Sequence, residues 1–135
     1  MLLRAVTAAA VLVSAGVHLW LWFDGYRDIE VIGPSFMLNA VGGAVIAAML
    51  LLWRHWVPAL LAVGFGLSTL GAFVVSATVG LFGVHESWTG GDVLAAAVSE
   101  VVAVVGGAAL LLQERARRSA GQPQHRFALR RAHLH

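Results

Sequence analysis

The chain has no cysteine and no lysine, only one tyrosine and three prolines, and few charges of either sign. Each shortage excludes something. Without cysteine there is no disulfide framework and no thiolate metal site, so a stapled secreted domain is ruled out. Charged residues make up 12% of the 135 residues, against roughly 25% in an ordinary soluble domain. A highly charged disordered chain is therefore excluded as well. What the chain has instead is apolar surface: 59% hydrophobic residues and a mean hydropathy of +0.81. One small soluble core cannot hide so much, because small domains leave a large share of their surface exposed. The composition predicts an integral membrane protein.

A membrane-spanning helix needs about 20 predominantly apolar residues to cross a ~30 Å hydrocarbon core. Four stretches qualify: residues 5–23, 35–53, 56–84 and 93–113. The connections 24–34, 54–55 and 85–92 are short, which forces neighbouring spans to run antiparallel. The expected fold is all-α: an antiparallel four-helix bundle over residues 1–113, with a basic tail over 114–135. The first stretch has an early arginine, as a secretory signal does. Its apolar run continues through Phe23, beyond a usual signal core, so a retained span is expected.

Arginine placement sets the orientation. Arg4, Arg54, Arg115, Arg117, Arg118, Arg126, Arg130 and Arg131 fall on one side, and Arg27 alone on the other. The opposite side collects Asp24, Asp28, Glu30, Glu86 and Asp92. Both termini are thus expected in the cytoplasm. Trp20, Trp22, Tyr26 and Trp88 mark the outer boundary, and Trp53 and Trp56 the inner one, the depth amphipathic rings prefer. Arginine without lysine, beside abundant alanine, valine and glycine, is usage associated with GC-rich bacterial genomes. The expected location is a bacterial cytoplasmic membrane, crossed several times.

Helices in lipid associate through close packing of small residues and through polar contacts. A stripe of that kind runs along the third span: Gly64, Ser68, Ala72, Ser76 and Gly80. The fourth span carries Ala95, Ser99, Ala103 and Gly107. The second carries Ala40, Ala44 and Ala48 beside Asn39, Gly43 and Ala47. Packing within one chain is the expected use, with a self-association face or a partner subunit as the alternative. Residues 11–20 (VLVSAGVHLW) and 73–82 (FVVSATVGLF) suggest two duplicated hairpins, with His18 standing where the second copy has Gly80.

An ionisable residue inside a span is costly and points to function. Glu100 lies about 12 Å below the outer end of the fourth span, and His18 about 8 Å inside the first. Asn39 lies at similar depth on the second. Glu100 falls on the face of Ala96, Ala103 and Gly107, and His18 on that of Thr7, Val11 and Ser14. The three are expected to converge on a polar pocket opening outward, with His18 pairing with Glu100. His85, Glu86, Asp92 and Tyr26 are candidate rim residues. Each has a plainer reading: interhelical glue for Asn39, a snorkelling ring for His18, a solvated loop for His85, a structural pair for Glu100.

No nucleophile elbow, phosphate-binding glycine loop, metalloprotease helix or cysteine pair is present. No catalytic residue, metal ligand or cofactor is assigned, and the expectation leans away from an enzyme. The first connection, residues 24–34, contains Ile29, Val31 and Ile32, apolar enough to lie on the headgroups or cap the pocket. Gly33–Pro34 is expected to break the chain before Ser35 caps the second span. The tail holds six arginines and three histidines, suited to anionic lipid and too short to suggest nucleic acid.

The residues His18-Leu-Trp-Leu-Trp22, Tyr26-Arg27-Asp28-Ile29, Ile32-Gly33 and Phe36-Met-Leu-Asn39 resemble a pattern in small actinobacterial membrane proteins, over roughly residues 5–113. Ser99-Glu100 before a glycine-rich apolar run is loosely similar to the DoxX-like four-helix group. The resemblance implies a four-span fold and no assigned activity. The leading expectation is a non-enzymatic membrane protein whose pocket, lined by Glu100, His18 and Asn39, holds a small or lipophilic ligand or a partner subunit. Two alternatives stand beside it. One is proton- or ion-coupled transport by an oligomer, with Glu100 titrating. The other is a redox accessory subunit binding haem or quinone, for which His18 and His85 would be the imidazole ligands. Expected partners are membrane lipids, further copies of the chain or a larger membrane complex.

Overall fold

A backbone surrounded by lipid must satisfy its own hydrogen bonds, so long apolar stretches become helices. The computed structural model describes residues 1–80 and 90–121. Helix α1 covers Leu2–Phe23, α2 covers Ile32–Leu52, α3 covers Trp56–Thr78 and α4 covers Gly91–Gly121, with a short 3-10 turn at Tyr26–Asp28. All four helices are long and apolar enough to cross a membrane. The chain is a multi-pass membrane protein.

The ends of the helices follow local chemistry, and several differ from expectation. Gly25 closes α1 with φ of 122°, a conformation that suits a residue without Cβ. Helix α2 begins at Ile32, three residues before the expected start. Pro34 does not precede the helix but sits in its first turn, where a missing N–H costs nothing. The entering residue is Val31, at φ 68° and ψ −47°, and Ile32 N donates to Glu30 O across it at 2.8 Å. That is a γ-turn centred on a β-branched residue, a strained arrangement. The three-residue connection after α2 is pinned by His55, whose Nδ1 accepts from Val57 N at 3.3 Å and so caps α3. Helix α3 stops at Thr78, short of the expected 84, and Gly80 follows with φ of 84°. Helix α4 continues to Gly121, so Arg115, Arg117 and Arg118 ride on the helix, not on a separate tail. Arg118 pairs there with Glu114 one turn back, at 3.2 Å.

Helix α1 packs along α2 and along α4, and α3 packs along α4; α2 and α3 touch only sparsely. The start of α1 lies beside the end of α2. Arg4 donates from Nε to Leu50 O at 2.8 Å and from a terminal nitrogen to Trp53 O at 2.6 Å, satisfying carbonyls that the end of α2 leaves open. The core is built of small side chains, with Ala8, Val11, Ala47, Ala59, Ala62 and Ala103 buried together. Glycine is required where backbones come closest. A Cβ on Gly106 would collide with the Thr7 hydroxyl, and one on Gly107 would stand 2.8 Å from Ala59 O.

The small-residue stripe of α3 is used differently from expectation. Ala59, Ala62 and Gly66 are its buried face, and a Cβ on Gly66 would stand 2.8 Å from Glu100 O. Gly64, Ser68 and Ala72 are exposed, and a Cβ on Gly64 would meet nothing within 4 Å. They line one wall of the gap between α2 and α3. On α4, Ser99, Ala103 and Gly107 are buried as expected, while Ala95 is exposed. On α2 the buried line is Ala40, Gly43 and Ala47; Ala44 and Ala48 are exposed.

Candidate functional site

The site is assembled from one residue or two on each helix. On α4, the run Ser99, Glu100, Ala103 faces inward, because that side packs against α1 and α3. Glu100 is 2% exposed. Its carboxyl accepts a hydrogen bond from Ser14 of α1, Oγ to Oε1, at 3.1 Å. Thr69 of α3 reaches the same carboxyl. Its hydroxyl donates to Phe65 O at 2.6 Å. Hydrogen bonds of this kind offset part of the cost of burying a carboxyl, which would otherwise be prohibitive.

His18 sits one turn from Ser14, and its Nδ1 lies 2.8 Å from Ser14 O. The direct pair between His18 and Glu100 is replaced by a path through Ser14, which holds the histidine by its carbonyl and the glutamate by its hydroxyl. The imidazole stands edge-on to Phe36 at 5.0 Å between centroids, and Tyr26 stacks over the same ring at 5.1 Å. Aromatic pairs favour these offset and perpendicular geometries. The 3-10 turn carrying Tyr26 folds against the start of α2, so closely that a Cβ on Gly33 would collide with Arg27 O. Gly33 thus does its work by letting the loop lie over Phe36 and His18.

Asn39 is the odd member. Both its side-chain atoms, Oδ1 and Nδ2, are buried and neither has a hydrogen-bond partner. An amide removed from water without partners costs on the order of 1–3 kcal/mol by mutational evidence. Nothing on α1 or α4 takes up that capacity among the described residues, so interhelical glue is not its role here.

These groups face one space. A cleft of about 860 Å³ lies between α2 and α3, with His18, Asn39, Thr69 and Glu100 among its lining residues. Most of the remaining wall is apolar, including Ile46, Leu60, Leu61 and Leu67. His18 and Asn39 lie toward the Tyr26 end, and Leu60 and Leu61 toward the Arg4 end. A volume in this range, mostly apolar and with a few converging polar groups, is typical of a small-molecule site.

The three expected site residues, Glu100, His18 and Asn39, therefore come to one cleft; Tyr26 stacks on Phe36 and is not among its lining residues. Asp92 is exposed in the first turn of α4 and does not line it. His85 and Glu86 lie outside the described residues. No group of three or more His, Asp or Glu side chains close enough to hold a metal occurs among the described residues. Sequence reasoning did not single out Ser14 or Thr69 as site residues. Ser14 carried a signal, since it is four residues from His18 on the same face; Thr69 carried none. Comparison with family models, curated proteins and solved structures finds no match for this chain.

Proposed function

We propose that this protein binds a small lipophilic molecule within the membrane, in the cleft between α2 and α3. The spans form an antiparallel bundle in a bacterial cytoplasmic membrane, with both termini in the cytoplasm and the polar end of the cleft toward the outer leaflet. The observation that carries the reading is Asn39. Its buried amide is unpartnered at the edge of a cleft that also contains Glu100. A polar side chain kept dry without a partner costs stability, and a ligand that completes its hydrogen bonds returns that cost on binding. Because α2 and α3 touch only sparsely, the ligand reaches the site sideways from the bilayer, and the outer headgroups need not be crossed.

The test is native mass spectrometry of the full chain released from mild detergent. The wild type is expected to retain a hydrophobic small molecule at one per chain. Gly64→Trp, placed where the backbone faces open space, fills the cleft and is expected to lose that mass while the chain stays folded. A wild-type chain that is bare, and that takes up no added lipophile saturably, would overturn the reading. Retention of a second protein in place of a small molecule would also overturn it, in favour of a partner subunit.

A second reading is favoured by one fact. Among the described residues, Glu100 forms no ion pair. A buried carboxyl of that kind suits proton- or ion-coupled transport by an oligomer. Flux measured in proteoliposomes and abolished by Glu100→Gln would move the assignment to transport.

A further inference from the structure

The polar end of the cleft is chemically one-sided. Its formally charged group is a carboxyl. The arginines among the described residues, Arg4, Arg27, Arg54, Arg115, Arg117 and Arg118, lie at the helix ends and loops. None of them pairs with Glu100. The Nδ1 of His18 is committed to Ser14 O. Asn39, in the same lining, has both Oδ1 and Nδ2 buried and unpartnered, and so offers an acceptor and a donor. The ring of Phe65 lines the same space, and ring faces attract cations. An acid and an aromatic ring line the same space, and among the described residues no arginine stands opposite the acid.

We propose that the ligand is a lipophilic amine. Its protonated nitrogen donates to the Glu100 carboxylate and to Asn39 Oδ1, and its apolar body lies along Leu60, Leu61 and Leu67 toward the Arg4 end. This rests on the ligand-binding reading above. Other headgroups fit less well on the same chemistry. An alcohol donates one hydrogen bond but brings no charge to pair with the carboxyl. A quinone or ester carbonyl accepts from Asn39 Nδ2 but brings no donor to the Glu100 carboxyl. A fatty acid sets a second carboxyl against Glu100. A bare metal ion would need several hard ligands close together, and the described residues hold no such group.

A matched pair of probes tests this. Dodecylamine and 1-dodecanol have the same chain and differ in the group that meets Glu100. Each is titrated into the full-length protein in mild detergent, and saturable one-to-one binding is counted by native mass spectrometry. Dodecylamine is expected to bind at least about tenfold more tightly, the scale of a hydrogen bond to a charged partner in a dry site. Glu100→Gln is expected to bring the ratio close to one. Asn39→Ala is expected to weaken the amine by a smaller factor, about threefold. Gly64→Trp is expected to remove both probes. If the two probes bind wild type saturably and equally, the amine assignment falls and the binding cleft stands. A preference for amine that survives in Glu100→Gln also overturns the assignment, because the counter-charge then lies elsewhere. If neither probe binds saturably and neither is displaced by the other, the amine and the binding site fall together.

Discussion

Helix α1 meets α4 along one seam, and α2 faces α3 across another. A duplication of hairpins would make these two seams equivalent. They are not. Along the first, backbones approach until a Cβ on Gly106 would strike Thr7, and Ser14 bonds Glu100 from one helix to the other. Along the second, Gly42 and Gly64 face open space, and a close approach occurs where the Phe65 ring reaches Gly43. Both seams are rich in glycine, alanine and serine. In one the small residues let helices touch; in the other they leave room. Small side chains in a membrane helix therefore specify little space on the helix surface, and the neighbouring residues decide whether a helix or a ligand takes it.

The largest expected effect comes from exchanging these roles. Gly106→Leu overpacks the closed seam, where neither Thr7 nor the α1 backbone can give way easily. A loss of about 3 kcal/mol is expected, the upper range for overpacking in a dense core. Gly64→Leu adds the same atoms to the open seam, and stability is expected to stay within about 0.5 kcal/mol of wild type. Unfolding of both variants by SDS in mixed micelles checks the pair. Equal losses would mean that the second seam is closed too.

The contact that locks the first seam gives the next effect. Ser14→Ala removes a donor from a carboxyl that remains buried, for an expected loss of about 1–2 kcal/mol. Adding Glu100→Gln is expected to recover part of it, because a neutral amide is cheaper to leave short of one hydrogen bond. If Ser14→Ala is neutral alone and in the double variant, the Ser14–Glu100 bond contributes nothing to holding α1 against α4.

How far the sequence discloses this asymmetry can be argued from its residues. Charge and hydropathy placed four spans and put Glu100, His18 and Asn39 at comparable depths. Depth follows from counting residues along a helix at about 1.5 Å each, which needs no tertiary knowledge. The rotation of α3 did not follow. Gly64, Ser68 and Ala72 form as good a packing stripe as Ala59, Ala62 and Gly66, and periodicity treats them alike. The choice depends on Val104, Gly107 and Glu100 of α4, residues about 40 positions away in the chain. The pairing of His18 was misread for a related reason: Ser14 lies between His18 and Glu100 in space, and an intermediary is invisible when polar residues are considered two at a time. The early start of α2 was hidden because Pro34 reads equally as a break before a helix and as a first-turn residue.

The smallest expected effect concerns how α2 is delivered to the open seam. Val31, between the loop and α2, holds φ of 68°, which a β-branched side chain resists. Residues held so cost on the order of 1–3 kcal/mol, and they persist when surrounding contacts over-determine them. Those contacts are visible here: the loop carbonyl of Arg27 against Gly33, and Tyr26 stacked on Phe36. Val31→Gly removes the steric cost, while glycine adds unfolded-chain entropy of roughly 0.5–1 kcal/mol. The net expectation is a gain of about 1 kcal/mol in mixed-micelle unfolding. Val41→Gly, at an exposed site within α2, carries the same entropy with no strain to relieve, so a loss of about half a kcal/mol is expected. Opposite signs for the two would locate the strain in the turn that leads into α2. A loss at both positions would mean that Val31 is at ease, and that the placement of α2 is fixed wholly by its packing on α1.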